Sequence, residues 1–409
     1  MKTFIIFILS FACLPVSAQV ISITEAVQEA VKNNGMLRAA SLTADQQQQL
    51  RKASIDLPKT EVSLLYGQYN SIARNDNNIT IAQTIPFTAF GSQAALNRSQ
   101  AIAAQLKRAS TENELIFQVK QTYYHLAFLK ARHDLLQQQD SLYAGLLKAA
   151  SARFQSGETN LLEKVTAEAE THQVKNLLRE NLADIAVYRD RLQMLLNSTQ
   201  QWDVIPDAFQ EMQASVDTSI TANPELSFSR QQVEISLNQK RLERARLVPD
   251  LTVGFFTQTL IGYQTINNQE QYFGSDKRFH GFQVGISLPL WFTPHAARIK
   301  AAEYNRQSAQ SAFAYQQLLI QGEMKQAVEE FRKNRNSLLY YKASALPNSA
   351  LILKHAGLSF QNGEIGFTEY LLSVKNAIAI RESYLRTLNS YNQSIFTIEF
   401  LSGNQLHSK

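Results

Sequence analysis

The chain has almost no cysteine, and that scarcity removes several kinds of chemistry. Its one cysteine, Cys13, lies in a start with the pattern of a secretory signal peptide: Lys2, an apolar run from Phe4 to Leu14, and the small-x-small sequence Val16-Ser17-Ala18. Cleavage after Ala18 would leave a mature chain without cysteine, which excludes disulfides, zinc–thiolate sites and a cysteine nucleophile. Lipidation of Cys13 is the alternative, although Ser10-Phe11-Ala12 before it lacks the leucine that lipoprotein processing prefers.

Glycine, proline and long apolar runs are also scarce. The 409 residues include 15 glycines and 9 prolines, so long segments can stay helical before a breaker occurs. No later stretch reaches the roughly 20 apolar residues that a membrane-spanning helix needs. Charged residues make up 18% of the chain, with a net charge of +5. Basic and acidic residues are interleaved along segments such as Arg241 to Arg246, which indicates a solvated helix face and not a nucleic-acid surface.

Catalytic motifs are absent from the sequence. It contains no Walker or dinucleotide glycine pattern, no His-Glu-x-x-His and no nucleophile elbow. His125 and His133 lie eight residues apart and His172 can approach them across a hairpin, so a histidine metal site is one interpretation. Scattered histidines on helix faces are the more common case. We therefore predict no enzyme activity, no cofactor and no metal.

The chain does contain an internal repeat. The segment Phe154-Gln155-Ser156-Gly157-Glu158 recurs 206 positions later as Phe360-Gln361-Asn362-Gly363-Glu364, and Glu163 recurs as Glu369 at the same offset. Matching segments in a fixed order indicate duplicated structural units. We predict a signal peptide at residues 1–18, repeats at 19–200 and 223–403, a connection at 201–222 and a tail at 404–409.

Each half contains two segments in which apolar residues alternate with small or polar ones. They are marked by Val62, Leu64 and Tyr66; by Ile79 to Ile85; by Leu251, Val253 and Phe255; and by Phe282 to Leu288. This period predicts β-strands, close to the roughly 9 to 11 residues that cross a bilayer when tilted. The polar segments 70–78 and 261–280 are predicted to be the loops between paired strands. Phe87, Phe90, Trp291 and Phe292 lie near strand ends, as an interfacial aromatic girdle would; ordinary core aromatics are the alternative.

Long helices are the second predicted element. Residues 92–153 and 296–359 contain few breakers and predict helices of about 90 Å. The helices that return from them carry apolar residues at spacings of three and four, which predicts coiled-coil packing in antiparallel hairpins closed at the Gly-Glu turns. These residues are Leu371, Val374, Ile378, Leu385, Leu388 and Ile395 in the second half, and Leu178, Leu182, Ile185, Tyr188, Leu192 and Leu195 in the first.

Strands that face lipid must form a closed sheet. Each unpaired backbone group in hydrocarbon costs on the order of several kcal/mol, and spanning barrels begin at roughly eight strands. Four strands per chain would therefore have to be pooled among copies, and three copies supply twelve. The predicted fold is mainly α with β: helical hairpins forming an α-barrel, plus four transmembrane strands per chain in a twelve-stranded barrel of a trimer.

These features together resemble the TolC family of outer-membrane efflux proteins. The resemblance rests on the signal peptide, the tandem repeat, the turn Phe-x-x-Gly-Glu followed by an acid, and a proline at each strand boundary, and it covers residues 19–403. It implies a homotrimer in the outer membrane of a Gram-negative bacterium, extending into the periplasm. It also implies outer-membrane lipid, a periplasmic adaptor and an inner-membrane pump of the RND type as partners. Asn223-Pro224 fits the family pattern before a helix, whereas Asn34-Gly35 departs from it.

The resemblance also assigns roles to the repeated turns. It makes Phe154, Gly157 and Glu158, with Phe360, Gly363 and Glu364, the periplasmic tips that meet the adaptor. Threefold symmetry would turn Glu163, Glu364 and Glu369 into rings of carboxylates at an aperture, which favour cations. Interaction of each glutamate with a helix N-terminus is the alternative.

Two other functions remain open at this stage. A surface or periplasmic coiled-coil structural protein would explain the long helices, but it does not require proline-marked strand pairs at matching places in both halves. The outer-membrane component of a type I protein secretion system would share the whole fold. The passive duct of a tripartite efflux system explains both the helices and the strands.

Overall fold

The computed structural model describes residues 19–206, 208–213 and 217–404. The predicted signal peptide, Cys13 and most of the predicted tail lie outside these residues. The described chain is mostly helical. Its helices are α1 (Ile23–Asn33), α2 (Gly35–Lys52), α3 (Phe87–Gln155), α4 (Leu161–Leu196), α5 (Pro224–Ala245), α6 (Phe292–Tyr340), α7 (Leu346–Gln361) and α8 (Phe367–Ser402). Its strands are β1 (Gln19–Ile21), β2 (Glu61–Tyr66), β3 (Asn77–Ile85), β4 (Trp202–Val204), β5 (Asp250–Thr259), β6 (Gly262–Ile266), β7 (Gln269–Phe273) and β8 (Arg278–Ser287).

The chain divides into two compact units. One comprises residues 1–38, 110–223 and 319–409, and the other comprises residues 39–109 and 224–318. The first unit contains the hairpin formed by residues 110–155 of α3 with α4, the hairpin formed by α7 with α8, and the parallel strand pair β1–β4. The second contains α2, α5 and the main sheet.

The main sheet is antiparallel and has the strand order β2-β3-β5-β8. All four strands that the alternation predicted are confirmed. In the register, Ile81 lies beside Phe255, which lies beside Phe282, so one face collects the large apolar residues. Thr84 and Thr252 pair on the other face, with their hydroxyls 3.1 Å apart.

Both predicted loops between paired strands are partly wrong. Asn77 and Asn78 belong to β3, so the first loop ends at Asp76. The second loop contains the hairpin β6–β7, and β8 already begins at Arg278. The hairpin turns at Asn267 and Asn268, whose φ angles of 53° and 60° are those of a tight turn with two left-handed residues. The polar run resembles a loop in sequence because asparagine favours this turn conformation and the polar residues beside it do not show the period of a strand.

One long helix is continuous and the other is not. α3 has 69 residues, about 100 Å, and confirms the predicted segment 92–153. The predicted segment 296–359 is interrupted by a π-helical turn at Tyr341–Ala345, where the N–H of Leu346 donates to the carbonyl of Tyr341. Pro347 explains the interruption, because proline has no N–H to donate and its ring clashes with the carbonyl four residues earlier.

Two asparagines begin helices in the same manner. Asn34 separates α1 from α2, accepts from the N–H groups of Met36 and Leu37, and donates its side-chain amide to the carbonyl of Leu195 at 3.2 Å. Asn223 precedes α5 and donates to the carbonyl of Leu401 at 2.9 Å. Asn34-Gly35 therefore makes the contact that Asn223-Pro224 makes, although its sequence departs from the family pattern.

The predicted seam of α8 forms the core of the helical unit. Leu371, Val374 and Ile378 are buried in one apolar cluster and Leu388 and Ile395 in another, while Leu385 is partly buried against a third. The prediction for α4 is confirmed at Ile185, Leu192 and Leu195 but wrong at Leu182, which is 51% exposed. Asn181 occupies the inner position instead, because its side-chain amide donates to the carbonyl of Leu129 on α3 at 3.0 Å.

Asn392 stands where the apolar spacing of α8 would place another apolar residue, and its side chain bonds to the segment 208–213 instead. This residue is fully buried, its Oδ1 accepts from the N–H of Met212 at 3.2 Å, and its Nδ2 donates to the carbonyl of Gln210 at 2.9 Å. The hydroxyl of Tyr391 donates to the carbonyl of Met212, and Lys342 pairs with Glu211. The segment 208–213 of the connection is thus fastened across the helices by side chains.

Replacing Asn392 with leucine should loosen this segment. The change leaves the N–H of Met212 and the carbonyl of Gln210 without these partners, which is expected to cost about 1–3 kcal/mol. We expect faster limited proteolysis within residues 208–213 and a lower midpoint of thermal unfolding. Asn389→Leu is the matched control on the same helix, because the amide of Asn389 faces His125 on α3 at 3.5 Å and not the segment 208–213. Equal proteolysis of both variants would contradict the anchoring role of Asn392.

Candidate functional site

The two helical hairpins close through the same turn. At the first tip, the N–H of Glu158 donates to the carbonyl of Arg153 at 2.8 Å, and that of Gly157 to Phe154 at 3.2 Å. At the second tip, Glu364 donates to Ser359 at 2.8 Å, and Gly363 to Phe360 at 3.1 Å. This pair of bonds is the Schellman motif, which ends a helix with a left-handed residue. Gly157 and Gly363 have φ angles of 77° and 75°, a region that favours glycine.

The first tip carries a cation between its carboxylates. The guanidinium of Arg153 lies 3.8 Å from Glu158 and 3.9 Å from Glu163. Glu163 is in the first turn of α4, where the helix start favours negative charge, and Asn160 caps the same turn by accepting from its N–H. The ammonium of Lys164 lies over the ring of Phe154, 5.5 Å from its centre. The charges of this tip are therefore balanced.

The second tip holds its carboxylate with neutral groups. Glu364 accepts from the hydroxyl of Ser359 at 2.8 Å and from the amide of Asn362 at 3.1 Å. These two hydrogen bonds lower the pKa of Glu364 below its usual value of 4.5. Glu369 is exposed in the first turn of α8. Residues 358–372 contain no lysine or arginine, so this tip has a net negative charge.

Aromatic packing also differs between the tips. Phe360 stacks on Tyr370 with ring centres 4.6 Å apart and contacts Phe367 edge-on at 6.4 Å. Phe154 is 37% exposed and has only the lysine over its ring. The structure brings all the predicted tip residues to two turns of the same shape. Sequence reasoning missed Arg153, which pairs with the carboxylates of the first tip, and it missed Ser359 and Asn362, which donate to the carboxylate of the second. The rings of carboxylates predicted for Glu163, Glu364 and Glu369 stay a prediction.

The main sheet has a second feature with functional meaning, its exposed apolar face. Val62 and Leu64 on β2 are 67% and 62% exposed, and Phe282 and Val284 on β8 are 86% and 74% exposed. Within the part of the chain that the structure describes, β2 and β8 each have a strand neighbour on one side only. The sheet therefore combines two open edges with an unburied apolar face, which proteins normally cover.

The aromatic residues near the strand ends are not core residues of this chain. Phe87, Trp291 and Phe292 are 56%, 83% and 66% exposed, whereas Phe90 is partly buried. Among the described helices, none is both long enough and apolar enough to cross a membrane.

The histidines considered for a metal site are separated into different surroundings. His125 packs on the ring of Tyr188 at 4.2 Å, and burial lowers its pKa. His172 lies 3.9 Å from Glu168. In residues 19–206, 208–213 and 217–404, no three histidine, cysteine or acidic side chains are grouped as metal ligands.

The fold with these hairpins and this sheet is similar to that of solved outer-membrane channels. The outer-membrane channel CmeC of Campylobacter jejuni superposes with a TM-score of 0.75 at 16% identity, over 93% of this chain and 85% of that one. The outer membrane protein VceC of Vibrio cholerae gives 0.75 at 15% identity, over 93% and 96%. The channel OprN gives 0.77 at 15% identity, over 93% and 89%. No family model matches the sequence, and no curated protein matches it either. The predicted fold resemblance is thereby confirmed.

Proposed function

We propose that the chain is the outer-membrane duct of a tripartite efflux system, conducting substrates passively and catalysing no reaction. The observation that carries the proposal is the main sheet, whose two edges are open and whose apolar face is exposed. Three copies would pair β8 of one chain with β2 of the next and close twelve strands, which leaves no unpaired edge in lipid. The exposed aromatics beside the strand ends fit the interfaces of such a barrel.

The similar solved structures support the same location. Three of them are described as outer-membrane channels or an outer membrane protein, and the matches extend over nearly the whole chain. We propose an outer-membrane position in a Gram-negative bacterium, with the helical hairpins in the periplasm. Two observations support the proposed repeats at 19–200 and 223–403. Asn34 and Asn223 make matching contacts, and the two hairpin turns have the same hydrogen bonds.

The hairpin tips are the proposed docking sites for the periplasmic adaptor, which would connect the duct to an inner-membrane pump of the RND type. Their Schellman turns present a fixed backbone with exposed glycines, since a Cβ at Gly157 or Gly363 would meet no atom within 4 Å. A type I protein secretion system would use the same duct with another pump. A coiled-coil structural protein is the competing function, and it gives no reason for an open apolar sheet.

The test of this function is direct. The mature protein is extracted in detergent, run unheated and boiled on a gel, and then inserted into planar lipid bilayers. A heat-labile trimer with discrete single-channel conductance is the expected result. A water-soluble monomer without conductance would discard the duct and favour a coiled-coil structural protein.

Neutralising the carboxylates of the second tip should weaken cation selectivity. Glu364→Gln with Glu369→Gln removes the net charge of this tip, so the cation-to-anion permeability ratio in planar bilayers is expected to fall toward unity. Because hydrogen bonds from Ser359 and Asn362 depress its pKa, Glu364 loses its charge at a lower pH than an ordinary glutamate, and its contribution to selectivity is lost as the pH falls through the depressed pKa. Glu329→Gln with Glu330→Gln is the matched control, because both residues are exposed on α6 and paired with cations. Unchanged selectivity in the tip variant would contradict the hypothesis that these glutamates form carboxylate rings that favour cations.

A further inference from the structure

The chain that remains after the predicted cleavage begins with a glutamine. The small-x-small sequence Val16-Ser17-Ala18 predicts the cut directly before Gln19, so the α-amine of Gln19 becomes the amino terminus. A glutamine in this position carries a nucleophilic amine and its own side-chain amide within one residue. An internal glutamine has no free amine. Export therefore creates a reactive pair of groups that the uncut chain does not have.

Gln19 begins a strand that is fixed to the helical unit. β1 pairs in parallel with β4, with Gln19 beside Trp202, and the N–H of Gln19 donates to the carbonyl of Gln201 at 3.2 Å. Ile21 is 3% exposed in the apolar cluster that α1, α3 and α4 share. Its carbonyl accepts from the hydroxyl of Tyr123 at 3.0 Å. Gln19 itself is exposed, so the first residue of the mature chain is accessible while the strand behind it is held in place.

The hydrogen bonds of Gln19 involve groups that a lactam ring retains. Its backbone nitrogen donates to Gln201, and its side-chain oxygen accepts from the amide of Gln200. Within the part of the chain that the structure describes, the side-chain nitrogen of Gln19 makes no hydrogen bond. Closing the side chain onto the α-amine removes this nitrogen and leaves one N–H and one carbonyl oxygen. The ring therefore keeps a donor for Gln201 and an acceptor for Gln200.

We infer that Gln19 is converted to pyroglutamate after the signal peptide is removed. The α-amine nitrogen attacks the side-chain amide carbon and forms the new C–N bond of a five-membered lactam, while the bond from that carbon to the side-chain nitrogen breaks. One proton passes from the attacking amine to the leaving nitrogen, which departs as ammonia. Nothing is oxidised or reduced, and no co-reactant is needed. The lactam has no basic amine, so the positive charge of the terminus is lost.

The modification closes the chain to aminopeptidases at the residue where β1 begins. These enzymes bind a free α-amine, which the lactam does not have. Trimming by three residues would delete β1, leave β4 without its partner strand and remove Ile21 from the apolar cluster. Pyroglutamate therefore protects the strand that pairs with the connection between the two repeats. The inference rests on export and cleavage, and not on whether the protein conducts.

The test identifies the amino terminus of the full chain, isolated from the bacterium that naturally makes it. Free amines are dimethylated before digestion with trypsin, which then cuts only at arginine because the lysines are blocked. The first peptide is then 19–38, and mass spectrometry measures its terminus. We expect this terminus to be unlabelled and the peptide to have lost the mass of one ammonia.

Two peptides of the same digest are matched controls. Gln231 follows Arg230 and Gln307 follows Arg306, so these glutamines acquire a free amine only when trypsin cuts. Ring closure during sample handling acts on these peptides as it does on peptide 19–38. We expect peptide 19–38 to be almost completely cyclised and both controls to remain mostly open.

The variant Gln19→Asn keeps an amide at the terminus but cannot form the lactam. Its side chain is one carbon shorter, so ring closure would give a strained four-membered ring. We expect the α-amine of this variant to be labelled. We also expect an added aminopeptidase to remove residues of β1 from the variant, while the unmodified sequence resists.

Three results would overturn the inference. A labelled amine on Gln19 would show that the ring does not form, and equal cyclisation of peptide 19–38 and the two controls would show that it forms only during handling. A first peptide that begins at another residue would show that the cleavage prediction is wrong. Single-channel conductance is recorded on the same preparation, because its absence would contradict the proposed duct and leave the modification of Gln19 unaffected.

Discussion

Export is expected to fall to background when Gly363 is replaced by proline, while the trimer still assembles. Proline fixes φ near −65°, whereas Gly363 has a φ of 75°, and proline also removes the N–H that donates to Phe360. The Schellman turn of the second tip cannot form with this residue. The adaptor would then lose its docking surface although the sheet and most of the helical core are untouched.

Two matched variants make this result interpretable. Gly363→Asn should keep most export, because asparagine tolerates the left-handed conformation better than other residues. Gly357→Ala lies in α7 close to the same tip, and its Cβ would meet no atom within 4 Å, so it should be silent. Export is measured in cells as resistance to the exported compound or as its efflux. Assembly is measured on gels as the amount of heat-labile trimer. Normal export by the proline variant would show that the tip does not form the docking surface for the adaptor.

The second large effect is expected from a charge on the apolar face of the sheet. Val284→Arg places a guanidinium near the middle of β8, on the face that carries Phe282 and Ile286. At the midplane of a bilayer this substitution costs about 2–4 kcal/mol per chain, and three chains would carry it. We expect the heat-labile trimer to disappear or to dissociate at a much lower temperature.

Gln283→Arg is the control for this variant, because neighbouring residues of a strand point to opposite faces. Gln283 pairs with Gly254 in the register, so an arginine there meets a small residue and the polar side of the sheet. Its trimer should resist heat nearly as the unmodified protein does. If both variants assemble equally well, the apolar face does not contact lipid.

The predictions of strands and buried helix faces were correct where the spacing of apolar residues was regular. Alternation of apolar and polar residues located all four strands of the main sheet, because the large apolar residues of each strand fall mostly on one face. The three-and-four spacing located the buried residues of α8 for the same reason. It failed at Leu182, because the buried amide of Asn181 bonds to a carbonyl of α3 and rotates the neighbouring leucine outward.

Other features depend on contacts between distant residues, which a pattern along the chain does not contain. The hairpin β6–β7 was missed because its apolar residues do not alternate: Tyr263 and Ile266 lie three positions apart, and Tyr272 and Phe273 are adjacent. The charge difference between the tips comes from Arg153 and Lys164, whose counterparts 206 positions later are Ser359 and Tyr370.

The π-helical turn compensates for a difference in length between the two helical segments that lead to the tips. α3 takes 69 residues to reach its tip, whereas Phe292 to Gln361 comprises 70. One additional residue in a regular helix would rotate everything beyond it by about 100°, because a turn holds 3.6 residues. A π turn absorbs that residue locally, so the helix beyond it keeps the phase that it would have without the additional residue. Removing one residue from 341–345 should therefore be tolerated, while removing one from the middle of α3 should turn its tip away from its partners.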